Sequence, residues 1–242
     1  AHGDIGGVGA ALLGEASHGW GVPYWGAFLL ALAGSAAIGA ASEVLVIRRL
    51  KASPLVISVI ATLGLGQLLS VFSQMVATSV GSGITYPQPS GFPRVSVGAL
   101  LLTPEYTAML ILTPVIVAGL AVFLRRGRLG IALRASSSNP DAARMSGMLA
   151  GRLSALAWAI AGAVAAYTAV LVLPTRGFSG GQFLGPGLLL RGLVCAVVAR
   201  MVSLPTALVA GLGLGVVEQV LLANYPTGGE VEMVIFVVIL AA

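Results

Sequence analysis

The chain has 242 residues, of which 57% are hydrophobic and 9% charged, and its mean hydropathy is +1.00. A water-soluble domain carries about a quarter charged residues, so this composition cannot furnish a wetted surface. The formal charge of +5 does not point to nucleic acid, because the basic residues sit at the ends of apolar runs and not in an aromatic-interleaved stripe.

Runs of about 20 apolar residues cross hydrocarbon as helices, whose backbone groups are satisfied within each segment. The runs here are continuous and lack the alternation of barrel strands. The expected fold is all-α, a polytopic transmembrane helical bundle with about seven membrane segments. Residues 5–13 are short and Gly-rich, either a helix tail or an irregular membrane entry. The first long run, 24–47, opens with Trp20, Tyr24 and Trp25, which suit an interface belt, and stops at Arg48-Arg49-Leu50-Lys51. Pro54 stands where a helix start tolerates proline, and the next helix runs to Val76. A Gly/Ser/Pro-rich loop, 77–104, precedes a helix at 106–124 that ends in Arg125-Arg126-Gly127-Arg128. Helices follow at 153–173, at 188–198 (short) and, after the turn Ser203-Leu204-Pro205, at 206–223. The last apolar run, 231–242, covers as a helix about 18 Å of a roughly 30 Å core. With no initiator Met at Ala1 and no signal-peptide pattern, the expectation is one membrane domain, 1–242, cut at both ends.

Alternating the crossings places Arg48, Arg49, Lys51, the six arginines between 125 and 152, and Arg200 on one side. That is ten of thirteen basic residues, the bias of a cytoplasmic face. Arg94, Arg176, Glu15, Glu105, Glu230 and Glu232 fall on the other.

The polar segment 125–152 contains a helix start. Asn139 is a good N-cap, Pro140 suits the first helical position, and Asp141 complements the positive helix end. Ala142, Met145 and Leu149 recur at helical spacing as a small apolar face. Read from residues alone, this helix is either a connector in the headgroup zone or a docking element for a cytoplasmic partner.

The string from Arg134 through Asn139-Pro140-Asp141-Ala142-Ala143-Arg144-Met145 to Gly147 resembles the cytoplasmic coupling segment of the permeases of branched-chain amino acid ABC importers. Ala1-His2-Gly3-Asp4 is similar to a motif near that family's N-terminus, normally preceded by a further membrane helix. Ile60-Ala61-Thr62-Leu63-Gly64-Leu65, Ser203-Leu204-Pro205 and 211–218 agree as well. Two departures stand out: Ala199-Arg200-Met201-Val202 replaces a glycine-rich turn, and Arg191 stands where lysine is common. The resemblance implies a permease subunit in a bacterial inner membrane, moving branched-chain or other small amino acids inward. It implies a second permease subunit, two cytoplasmic ATPase subunits that hold ATP and Mg, and an extracytoplasmic solute-binding protein. Relatives that carry urea or short amides, and an ATPase-independent channel or carrier, are the alternatives.

Charges at membrane depth are rare and face protein or water. Arg191 and Glu218 are candidates for an intramembrane pair or for the translocation path, and pairing explains both. Glu43, one turn before Arg48, is expected to snorkel to the interface. His2, Gly3, Asp4 and Thr62 are further path candidates, as are the Gly/Pro-interrupted stretches 3–9 and 177–187. Small residues at packing spacing, Gly34-x-x-x-Ile38-Gly39 and Gly211-x-Gly213-x-Gly215, predict a tight bundle. No phosphate loop, His-Glu-x-x-His or Cys-x-x-Cys spacing is present, so neither ATP hydrolysis nor a metal or other catalytic site is expected of this chain. Cys195 reads as a small buried hydrophobe.

Overall fold

The computed structural model describes residues 2–50, 53–77, 86–97, 100–176, 186–224 and Met233. The fold is an all-α, multi-pass membrane bundle. Among the described residues five helical stretches are long and apolar enough to cross a membrane: Tyr24–Leu50, Val56–Val76, Pro104–Arg126, Ala150–Thr175 and Leu204–Leu221. The run expected at 231–242 lies outside the described residues apart from Met233.

The chain forms two compact units, Ala1–Leu112 with Leu124–Leu184, and Thr113–Phe123 with Gly185–Ala242. In the first, helix α1 (His2–His18) packs against α2 (Tyr24–Ser42), α4 (Leu55–Val76) and α8 (Ala150–Arg176), and α2 packs along α8. Of the two expectations for 5–13, a helix tail or an irregular entry, the helical one holds: these residues are part of a continuous, deeply buried helix. Ile5 through Ala11 are covered on every side, the pattern of a helix wholly enclosed by protein.

Backbones meet closely around Ser35 of α2. Its hydroxyl donates to the Ile5 carbonyl of α1 at 3.3 Å. A Cβ on Gly9 would collide with the Ser35 hydroxyl, and one on Gly162 of α8 with the Ser35 carbonyl. One turn further along, a Cβ on Gly39 would collide with the Trp158 carbonyl. Small residues drive helix association in lipid because they allow this approach. Of the predicted packing motifs, Gly39 sits at such a crossing, whereas Gly213 and Gly215 face open space.

At the N-terminal end of α2, Tyr24, Trp25 and Phe28 form an aromatic cluster, and Phe28 meets Tyr167 of α8 edge-on. Trp25 donates its indole N–H to the Ser90 carbonyl at 3.2 Å, and the Tyr86 hydroxyl donates to the Ala10 carbonyl at 2.9 Å. Burial, and then the neighbouring Tyr24, push the Tyr86 phenol well above its ordinary range, so it remains a donor. Part of the expected loop 77–104 is a small hairpin, β1 (Val95–Val97) antiparallel to β2 (Leu100–Leu102).

The first membrane helix does not stop at 47. It passes through a π-helical turn, Glu43–Ile47, into α3 (Arg48–Leu50). Helix α5 (Pro104–Arg126) leads into α6 (Arg128–Ser138), a helix within the polar segment 125–152. The hydroxyls of Ser136, Ser137 and Ser138 bond back to carbonyls three residues earlier and close α6.

In the second unit α9 (Pro186–Val198) packs against α10 (Leu204–Asn224). Helix α9 ends with Met201 N–H donating to Ala196 and Arg200 N–H to Val197, the bond pair of a Schellman turn. Such a turn favours glycine, yet Arg200 and Met201 adopt φ of 51° and 54°. The turn thus carries left-handed strain of about 1 kcal/mol per residue.

Two outcomes follow from this packing. Gly162→Val is expected to destabilise the protein by about 3 kcal/mol through overpacking, whereas Gly213→Ala, which meets open space, is expected to stabilise it by up to about 1 kcal/mol, read by thermal unfolding in detergent. Arg200→Gly is expected to raise stability by about 1 kcal/mol in the same assay.

Candidate functional site

The basic end of the first unit carries the segment singled out by sequence. Helix α7 (Pro140–Met145) is fenced on both sides. The Asn139 side chain accepts from the Ala142 N–H at 3.0 Å, a cap worth about 1 kcal/mol, and Pro140 occupies the first turn with Asp141 behind it. At the other end Met148 N–H donates to Ala143 and Gly147 N–H to Arg144, a second Schellman turn. Here the left-handed position, φ 76°, is held by Gly147 without strain.

Among the described side chains of the helix Ala143 is the buried one, and α7 packs on α6 and α8. Ala142, Met145 and Leu149 point outward, with Met145 90% exposed. Arg144 is exposed, and Arg134 reaches back to the Arg125 carbonyl at 3.5 Å.

Beside this segment lies a contact that sequence reasoning missed. Arg48 Nη2 donates to Glu43 Oε2 at 3.1 Å and to the Gly151 carbonyl, at the start of α8, at 2.6 Å. Glu43 does not snorkel; its side chain is 0% exposed. In an α-helix, residues five apart diverge by about 140°, so their spacing conceals the pair. The π turn closes i→i+5 bonds and brings both side chains to one face.

In the second unit Arg191 and Glu218 form a two-pronged pair between α9 and α10. Arg191 Nε donates to Oε2 at 2.8 Å, and Nη2 to Oε1 at 2.6 Å. The fork matches the carboxylate, a geometry that lysine would not reproduce.

The remaining candidates do not converge. His2 lies against the Trp158 ring, centroids 4.4 Å apart. His2 and Asp4, two apart on α1, project about 200° from each other. Gly3 belongs to the same first turn, and the Thr62 hydroxyl bonds the Val59 carbonyl of its own helix at 2.9 Å. Of the stretch 177–187, residues 177–185 lie outside the described residues. Among the described residues no cluster of three metal-ligating side chains occurs.

Comparison with known proteins supplies a family for the chain. The family model described as the branched-chain amino acid transport system permease component matches residues 1–242. The chain belongs to this permease family. It is 26% identical over 201 residues to the high-affinity branched-chain amino acid transport system permease protein BraD of Pseudomonas aeruginosa, covering 79% of this chain. The chain spans 63% of that relative's length. No solved structure matches it.

In this permease the Arg191–Glu218 pair carries a clear energetic signature. Glu218→Gln is expected to cost about 3 kcal/mol, because a half-buried guanidinium loses its partner. The double replacement Arg191→Met with Glu218→Leu is expected to recover most of that loss, as measured by thermal unfolding in detergent.

Proposed function

We propose that this chain is the membrane-spanning subunit of an ABC importer in a bacterial inner membrane, and that α7 is its coupling element. The carried solutes are branched-chain or related small amino acids. Two permease subunits, two cytoplasmic ATPases and an extracytoplasmic binding protein complete the machine. ATP and Mg reside on the ATPases, and this chain's task is to convert their motion into alternating access.

The observation that carries the reading is α7 itself. A six-residue helix is too short to persist in water unaided. It is held at both ends and anchored through Ala143, so its outer surface is presented in a fixed position. That surface offers Ala142, Met145 and Leu149 beside Arg144, a small apolar patch with a cation. A partner whose groove accepts Met145 would push on α7 as a body. Family membership and the BraD likeness support the amino-acid cargo. The solute must bind outward and inward states with different affinity, since a ligand indifferent to the two cannot be moved by their exchange.

The test targets the outward surface and spares the anchor. Ala142→Glu and Met145→Glu are expected to leave the permease folded, judged by its melting temperature. Co-purification of the ATPase subunits and ATP-driven amino-acid uptake into proteoliposomes are expected to fall at least about tenfold. Normal uptake by both variants would dismiss α7 as the coupling element.

A further inference from the structure

We propose that Arg48 is a positioning residue for transport, tying the coupling segment to the first membrane helix by bridging Gly151 and the buried carboxylate of Glu43. This rests on the coupling role of α7 argued above.

The geometry leaves little slack between α7 and the tie. The Schellman turn at Gly147 runs directly into the start of α8. Ala150 N–H donates to Met148, Arg152 N–H to Leu149, and Leu153 N–H to Leu149. A displacement of α7 therefore reaches Gly151 through a hydrogen-bonded corner and not through a loose linker. At Gly151 the guanidinium lies close enough that a Cβ would sit 3.2 Å from its Cζ and Nη2. The same nitrogen holds Glu43 Oε2, and an Nη2 group has a hydrogen for each acceptor.

The receiving end is the π turn Glu43–Ile47, the irregular step in the span Tyr24–Leu50. Single π turns inside α-helices concentrate at functional sites because one extra residue can be gained or lost from a turn at small cost. Returning this turn to α geometry would rotate Arg48 away from Glu43, so the ion pair and the turn stabilise one another. Towards the other end of α2 lie Gly39 against Trp158 and Ser35 against Gly9 and Gly162. The contacts of Gly39 and Gly162 meet backbone carbonyls, so a shift of α2 is passed on to α8, and the Ser35 hydroxyl on the Ile5 carbonyl carries it to α1.

The experiment uses the assembled transporter, permease with its ATPase subunits and binding protein, in proteoliposomes. The readout is amino-acid molecules taken up per ATP hydrolysed, together with cross-linking of Met145→Cys to the ATPase as a measure of docking. Two variants release the tie by different routes. Glu43→Gln with Arg48→Gln removes both charges together, so no carboxylate is stranded. Gly151→Val changes no charge and displaces the guanidinium. Both are expected to keep docking and ATP hydrolysis while the uptake ratio falls about fivefold. Arg48→Lys, which keeps a cation for Glu43, is expected to retain an intermediate ratio.

A wild-type ratio in both release variants would overturn the proposal, and so would failure of both to assemble, which would make the tie purely structural. If Met145→Glu also leaves docking and the ratio untouched, the coupling role of α7 itself falls. That result is separable from one in which Met145→Glu uncouples and the release variants do not.

Discussion

Helices already in hydrocarbon gain nothing by hiding apolar surface from one another, so direct backbone approach decides which of them assemble. In this permease that approach centres on Ser35, where α1, α2 and α8 meet through Gly9 and Gly162, with Gly39 against Trp158 beside it. The cost is paid in α1, which has five glycines in seventeen residues. Each glycine weakens a helix by up to about 1 kcal/mol relative to alanine. Two things offset this: unmade backbone bonds in an apolar interior cost more still, and α1 is enclosed on all sides. Large apolar side chains are correspondingly turned outward, as Leu29, Ile60, Leu63, Leu110 and Val115 are on the membrane spans.

Charge is handled by the same economy of space. A carboxylate away from water needs a partner whose donors match its lone pairs. Glu218 receives a planar fork from Arg191 on a neighbouring helix. Glu43 receives Arg48 from its own helix, which only an altered helical turn allows. The second solution has a consequence the first lacks: because Arg48 also holds Gly151, the fate of a buried acid depends on where α8 begins.

The membrane spans were readable because twenty-residue apolar runs have few other fates. Asn139, Pro140 and Gly147 were readable because caps and left-handed positions restrict residue type locally. The inward face of α7 was not: Ala142 and Ala143 are chemically alike, and tertiary neighbours, not periodicity, chose Ala143. The Gly-rich start left helix and irregular entry both open, because helix propensity describes isolated chains, whereas α1 is a helix by virtue of what surrounds it. Glu43 was misplaced for a related reason. Snorkelling assumes regular α geometry, and the π turn at Glu43–Ile47 leaves no trace in residue types.

The two Schellman turns show how one geometry serves different ends. Both have the same pair of backbone bonds, one spanning six residues around one spanning four. At the end of α7 the left-handed position is glycine, so the turn has no strain to release and holds one shape. At the end of α9 it is arginine followed by a methionine that is also left-handed, so the turn stores energy that a different conformation would relieve. Under the coupling role proposed for α7, the first kind is the better one, since any yielding at Gly147 would dissipate motion before it reached α8. The unstrained glycine at one end and the asparagine cap at the other make six residues behave as a rigid piece, which their length alone would not permit.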